Sequence, residues 1–375
     1  MEPVLAQELT QLGADNVEIG RRMVSYTGDK ALMYRANLAL RSAIRILKPI
    51  KSFRAKDADE VYDAVKKIHW EEYMSTSTTF SIDATVNSES FRHSKFVAYR
   101  TKDAIVDRFM ESTGKRPSVR QSHPDLYINV HISHNECNIS LDSSGESLHR
   151  RGYRNEQNEA PISEALAAGM LLTAGWKGET DFVDPMCGSG TFLIEAALIA
   201  LNIPPSIYRK QFAFEKWNDF DADLFDEIYN DDSQERQFNH KIYGFDINRR
   251  TVEIARQNVK AAGLQKYIEI ECRPIADFVP MTEPTLMVTN PPYGERILSD
   301  DLFGLYREMG SALKHRFVGN TAWVISSHTD CLAAIGMKPS EKIELKNGDL
   351  DCEFWRLDIF SGKRNDHVRF KKQQQ

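Results

Sequence analysis

Two short segments combine residue types and spacing that could do chemistry. The first, Asp184-Pro-Met-Cys-Gly-Ser-Gly-Thr191, follows the apolar strand pattern 181–183 and precedes an apolar helical run. Gly188 and Gly190 allow close backbone approach to a ligand at the carboxyl end of a strand, where open α/β sheets bind cofactors. A dinucleotide fingerprint needs Gly or Ala three positions after Gly190, but Leu193 stands there, and no lysine follows as in a phosphate-binding loop. Pyrophosphate is disfavoured. Asp184 would suit a cationic sulfonium and an amino group and would repel phosphate, which points to S-adenosylmethionine held by Asp184, Met186, Cys187, Gly188, Ser189, Gly190 and Thr191. Cys187 has no histidine nearby in sequence and reads as a small loop residue, not a nucleophile. Asp246, closing the strand pattern 242–245, is placed to accept from both ribose hydroxyls, with Ile247 beside it. Asp277, after the next strand, could take the adenine amino group.

The second segment, Asn290-Pro291-Pro292-Tyr293, ends the strand pattern 286–289. Two prolines fix the backbone, leaving the Asn290 amide oxygen and the Pro291 carbonyl free to accept from one NH2 group. A base nitrogen whose lone pair is delocalised attacks poorly. Hydrogen bonds that hold its protons and favour pyramidal geometry would direct the lone pair at a sulfonium methyl, and Tyr293 could stack on the base. Asn290 therefore borders both donor and target. Each segment taken alone is also compatible with a plain strand-end turn, and their placement on two strands of one sheet is what joins them.

The flanking pattern supplies that sheet. From near Pro161 onward, helix 162–174, strand 181–183, helix 191–201, strand 242–245 and helix 249–262 alternate. They are followed by strands 268–271 and 286–289, helix 302–316, strand 322–325 and strands near 342–345 and 354–358. This predicts a doubly wound parallel sheet whose last strand is turned antiparallel by the hairpin signal Asn347-Gly348. The front half reads as α+β: helix 2–12 stopped by Gly13, a strand at 17–20 and helix 29–47 ended by Pro49. Helical or alternating stretches follow at 57–68, 79–86, 94–110, 127–133 and 136–142. A helix, strand and helix without a leading strand suggest a small sheet domain lacking its first strand. The basic, glutamine-ending tail 371–375 is expected to be disordered.

With 375 residues, 41% hydrophobic and 10% aromatic, the chain can bury a large core spread over more than one domain. Its five cysteines form no CxxC pair, so neither a disulfide framework nor a zinc site is indicated, and no metal is expected. No membrane span or leader pattern is seen, which places the protein in the cytoplasm by expectation. The net charge of −6 is unevenly distributed: residues 87–125 hold eight Lys/Arg against five Asp/Glu, whereas 219–232 is acidic without a single base. A local basic face is compatible with that balance.

These residues resemble the THUMP-domain-containing RNA guanine-N2 methyltransferases, and within them the bacterial branch acting on large-subunit ribosomal RNA. The resemblance covers nearly the whole chain and rests on 184–191, Asn290-Pro-Pro-Tyr-Gly-Glu-Arg296, Lys102-Asp-Ala-Ile-Val-Asp-Arg-Phe109, Leu148-His-Arg-Arg-Gly-Tyr-Arg154 and Lys346-Asn-Gly-Asp-Leu-Asp-Cys352. It implies a ferredoxin-like segment at 1–44, a THUMP RNA-binding domain at 45–145 and a linker at 146–160 reaching the donor pocket. A Rossmann-like, seven-stranded, doubly wound methyltransferase domain would then occupy 161–370. It further implies that Arg151 to Arg154 and Pro161 to Glu164 wrap that pocket, and that the partner is structured RNA, 23S ribosomal RNA or a large-subunit precursor. Arg92, His93, Lys95, Lys102, Arg108, Lys115, Arg116 and Arg154 are the expected phosphate contacts. The family's opening strand has no counterpart before Met1, nor has the second methyltransferase domain of some relatives after the first. Transfer-RNA guanine-N2 methylation, adenine-N6 methylation of DNA or RNA, and a non-catalytic RNA-binding role are the competing expectations; the last would predict losses in 184–191 or at Asn290, and none is visible.

Overall fold

The computed structural model describes residues 1–91, 93–154, 162–277, 284–293 and 299–361, with side chains excluded at 299–301. The chain opens with α1 (Glu2–Gln11), the hairpin β1 (Asp15–Gly20) and β2 (Met23–Thr27), and α2 (Lys30–Ala39). Next come β3 (Leu47–Arg54), α3 (Ala58–Lys66), β4 (Thr79–Asn87), α4 (Ser94–Thr113), β5 (Ser118–Val119), β6 (Leu126–Ser133) and β7 (Glu136–Asp142). These strands form a five-stranded sheet ordered β3-β7-β6-β4-β5. The alternation of buried and half-buried residues along β6 shows one face of that sheet closed over by the helices.

The rear half continues with α5 (Glu164–Thr173), β8 (Asp181–Asp184), α6 (Thr191–Leu201), α7 (Ala222–Tyr229), β9 (Ile242–Asp246), α8 (Arg249–Ala261), β10 (Ile268–Cys272) and β11 (Thr285–Thr289). It closes with α9 (Ser299–Arg316), β12 (Thr321–Ser326), α10 (Thr329–Ala334), β13 (Glu341–Asn347) and β14 (Leu350–Asp358). Its seven strands run in the order β10-β9-β8-β11-β12-β14-β13, with β14 antiparallel to both neighbours as the hairpin signal predicts. Strand residues alternate between two apolar layers. Phe182, Ile242, Val288 and Trp323 pack with α5, α6 and α8, while Val183, Phe245, Met287 and Val324 pack with α9 and α10. Helix α6 is buried at every position, which explains why its sequence, Glu195 apart, is apolar on all sides instead of striped.

The front half departs from expectation in the length of its second helix and in the presence of a second hairpin strand. The helix expected over 29–47 ends at Ala39, and Pro49 lies inside β3. That is an edge strand with a register shift between Pro49 and Lys51, so proline's missing N–H costs little of the ladder. The strand expected at 17–20 is one arm of a hairpin whose turn has Arg22 in the left-handed region at φ 60°. The acidic stretch 219–232 belongs to the long connection from α6 to β9, which carries α7. Phe214, Phe220 and Phe225 from this connection pack around Tyr34 of α2, with Tyr34 and Phe214 stacked at 4.5 Å, and Phe212 stacks in turn on Phe214. A piece of the rear domain thus completes the front domain's core.

Candidate active site

β8 and β11 are parallel neighbours, Val183 opposite Met287, so both candidate loops leave the same carboxyl edge. Asp184, ending β8, is 1% exposed; its carboxylate accepts from Thr289 Oγ1 at 2.7 Å and from the Met186 N–H at 3.1 Å. Burial pushes its pKa up to about 7, a rise the two hydrogen bonds oppose and the Asp246 charge assists. Gly188 and Gly190 have φ 54° and 86°, the left-handed region that glycine enters freely. A side chain at Gly188 would meet open space, whereas one at Gly190 would contact Ala255 on α8 at 3.4 Å. Gly188 therefore faces outward to a ligand and Gly190 inward to packing. Asn258 Nδ2 donates to the Ser189 carbonyl at 3.0 Å, tying the loop to α8 from below.

Asp246 ends β9, next to β8, and accepts from the Gly188 N–H at 3.2 Å and the Asn248 N–H at 2.8 Å. Burial raises its pKa above the ordinary carboxylate value. Ile247, the next residue, is 76% exposed, an apolar platform at the sheet edge. Asp277 lies exposed in a single helical turn after β10, on the same edge. A buried acid, an acid pinned to the loop backbone, an open glycine and an exposed apolar platform together fit an adenosyl sulfonium donor. Cys187 is buried and its thiol is pushed far up by desolvation, so it is no nucleophile.

The target loop differs in kind. Asn290 Oδ1 is buried yet finds no hydrogen-bond partner among the described residues, a state that normally costs about 1–3 kcal/mol. Pro291 is buried and Pro292 exposed. Tyr293 is half-buried against the rear core; Asn347 Nδ2 donates to its phenol oxygen at 2.7 Å and Cys352 Sγ approaches that oxygen at 4.0 Å. The continuation Gly294-Glu295-Arg296 lies outside the described residues, as do Pro161 and Arg92.

Several expected contacts are placed elsewhere. Arg151 is fully buried, 3.5 Å from Glu195 of α6, and donates to the Leu148 carbonyl at 2.8 Å; Tyr153 donates to the same Glu195 at 2.9 Å. This is a brace beneath the donor loop instead of a ligand contact. Arg154, expected both around the donor pocket and on the RNA face, lies 3.3 Å from Glu164 and donates to Thr191 Oγ1 at 2.7 Å, at the start of α6. It is committed to the donor loop, and Glu164 to Arg154. Arg108 makes a two-pronged pair with Glu71 at 3.0 Å and donates to the Lys66 carbonyl, clamping the start of the Trp70 turn to α4, so it is not free for phosphate. Lys102 pairs with the adjacent Asp103. His93, Lys95, Lys115 and Arg116 are exposed and form no ion pair among the described residues, with Phe96 and Tyr99 exposed nearby on α4. Sequence reasoning missed Thr289, Asn258 and Asn347 as supports. Only Asn258, a polar residue on the apolar face of an amphipathic helix, carried a usable signal.

Comparison with known proteins shows the family. The family model for the RMKL-like methyltransferase domain matches residues 151–356, that for the THUMP domain 55–142, and that for the RlmL ferredoxin-like domain 1–47. A protein of Synechocystis provisionally named an RNA methyltransferase is 39% identical, covering 96% of this chain and 94% of its own length. A ribosomal RNA large subunit methyltransferase K/L of Syntrophotalea carbinolica is also 39% identical over 96% of this chain, but this chain spans only 52% of that relative. A solved structure provisionally described as a methyltransferase in complex with SAH superposes with a TM-score of 0.86 at 30% identity, covering 96% of each chain. Among the described residues no helix is long and apolar enough to cross a membrane.

Proposed function

We propose, from the premise that this chain belongs to the RMKL-like methyltransferase family, that it transfers a methyl group from S-adenosylmethionine to the exocyclic N2 of a guanine in 23S ribosomal RNA, in the cytoplasm, giving N2-methylguanosine. The observation that carries the amine reading is the buried, unpartnered Asn290 Oδ1. A buried acceptor without a protein partner among the described residues is what an incoming N–H donor would fill. The ribosomal substrate is supported by the K/L relatives' name and the THUMP match, although the chain spans about half the length of those relatives.

On this reading Asp184, Asp246, Gly188 and Ile247 hold the donor, with Asp277 toward its adenine. When bound, S-adenosylmethionine supplies an electrophilic methyl carbon. Asn290 Oδ1 and the Pro291 carbonyl accept hydrogen bonds from the two amine N–H groups, which localises the nitrogen lone pair and aims it across the narrow gap between adjacent strands; the N–C bond would form as the C–S bond breaks, with S-adenosylhomocysteine leaving and one amine proton passing to solvent. Tyr293 walls the base on one side. The exposed Lys95, Lys115 and Arg116, together with the exposed His93, contact RNA phosphate.

The test is direct: incubate the purified chain with radiolabelled donor and, separately, ribosomal RNA and transfer RNA from a strain lacking the gene, then identify the modified nucleoside by mass spectrometry. N2-methylguanosine in large-subunit RNA is the expected product. Label confined to transfer RNA, or appearing as N6-methyladenosine, would replace the substrate assignment.

A further inference from the structure

The segment Lys346–Cys352, singled out in the sequence, has no part in donor or RNA binding as described so far. Structurally it is the β13–β14 hairpin, with Asn347 paired to Leu350 across a turn of Gly348 and Asp349. Gly348 takes the positive φ of 61° that this turn needs, so Asn347 remains a strand residue with its amide free for other work. That amide points to Tyr293: Nδ2 lies 2.7 Å from the phenol oxygen. Cys352, buried on the neighbouring strand, approaches the same oxygen at 4.0 Å. Phe354, two residues further along β14, stacks on Trp323 at 4.6 Å and anchors the hairpin to the sheet. Tyr293 itself follows two prolines, so its backbone is constrained on one side and its hydroxyl tip is tethered on the other.

We propose that Asn347 is a positioning residue for the methyl-transfer reaction: by donating to the Tyr293 hydroxyl it fixes the plane of the ring against which the target base stacks. This rests on the amine-methylation reading above. An aromatic ring held only at Cβ can rotate about both side-chain torsions; a hydrogen bond at the far tip removes that freedom. Alignment of the base, and so of its amine with the donor methyl, depends on the wall's orientation, while donor binding on the β8 and β9 side of the site does not. The hairpin thus contributes to turnover without touching donor or nucleophile.

The experiment is a kinetic double-mutant cycle with Asn347→Ala and Tyr293→Phe, each of which breaks the tether and keeps the ring. Each single variant should lower kcat about 3- to 10-fold, the size expected for one neutral hydrogen bond. The dissociation constant for S-adenosylhomocysteine, measured by calorimetry, should stay within twofold. The double variant should be no slower than either single one. Asn347→Asp, whose carboxylate can accept from the phenol, should restore most of the lost turnover. Additive losses, a shifted product-binding constant, or no rescue by Asn347→Asp would overturn the tether. A wild-type chain that transfers no methyl to RNA fails before any variant is compared, which identifies the underlying reading as the fault. In that case the same cycle read by thermal unfolding still tests the tether: non-additive midpoints support it and additive midpoints reject it.

Discussion

The two loops at the carboxyl edge stand one strand spacing apart and are built on opposite principles. The donor loop is internally satisfied: Asp184 is bonded by Thr289 and Met186, Asp246 by Gly188 and Asn248, and Ser189 by Asn258. The target loop keeps its key acceptor, Asn290 Oδ1, buried and unmatched among the described residues. A loop that must hold a ligand through many turnovers can be rigid in its absence. A group that must grip a nitrogen's protons is more effective if its hydrogen-bonding capacity is unspent, because no existing bond then has to be broken. The contrast implies that damage to the two loops separates into different kinetic constants.

The largest separation is expected from Asn290→Ala. It removes an interaction that matters at the reacting nitrogen and should lower kcat about 10²- to 10³-fold, with the donor dissociation constant nearly unchanged. Single-turnover rates alongside calorimetry would check this, and equal loss of both would dissolve the contrast. Asp246→Ala should act in reverse, weakening donor binding by about 10²-fold through lost charge-assisted hydrogen bonds while kcat at saturating donor falls far less.

Asp184 sharpens the comparison through pH. Its pKa is raised by burial from 3.8 to about 7, so between those values the folded protein retains a proton that the unfolded chain releases. Its contribution to stability is therefore present below about pH 4, declines as pH rises to about 7, and is flat above. A cationic donor favours the carboxylate, so donor affinity should climb about tenfold from pH 6 to pH 8. In Asp184→Asn both slopes should vanish, and a persistent slope would assign it to another group.

The smallest effects lie on the front half. Lys115→Ala should weaken RNA binding about two- to fivefold and reduce the salt dependence by about one counterion, measured by anisotropy across a salt series. Arg108→Ala, already paired with Glu71, should leave that slope unchanged and lower the unfolding midpoint by about 2 °C instead. If Arg108 moved the slope as much as Lys115, its assignment to the intramolecular clamp would be wrong.

Legibility followed locality. The loops 184–191 and 290–293, their strands and the antiparallel end of the sheet could be read because each depends on a short run: glycines where backbone must turn, prolines where it must stop, apolar triplets where a strand is buried on both faces. Pro49 misled because its meaning depends on whether a strand lies at an edge, and the edge is set by β7, nearly ninety residues away. Arg154 and Arg108 misled because a cation's role depends on which carboxylate it meets, and Glu164 and Glu71 are brought to them only by folding.

The sequence by itself determined a glycine-rich loop and a proline-fixed Asn-Pro-Pro-Tyr turn on one doubly wound sheet, since backbone conformation and strand order leave direct marks on residue choice. Tertiary structure alone decided that the connection from α6 to β9 locks the two halves together through Tyr34 and Phe214, that Arg151 and Glu195 brace the donor helix, and that a hairpin fifty-four residues downstream holds Tyr293. The physical reason is common to all three: a packing partner or hydrogen-bond partner leaves no periodic trace in the chain, because what pairs them is distance in space.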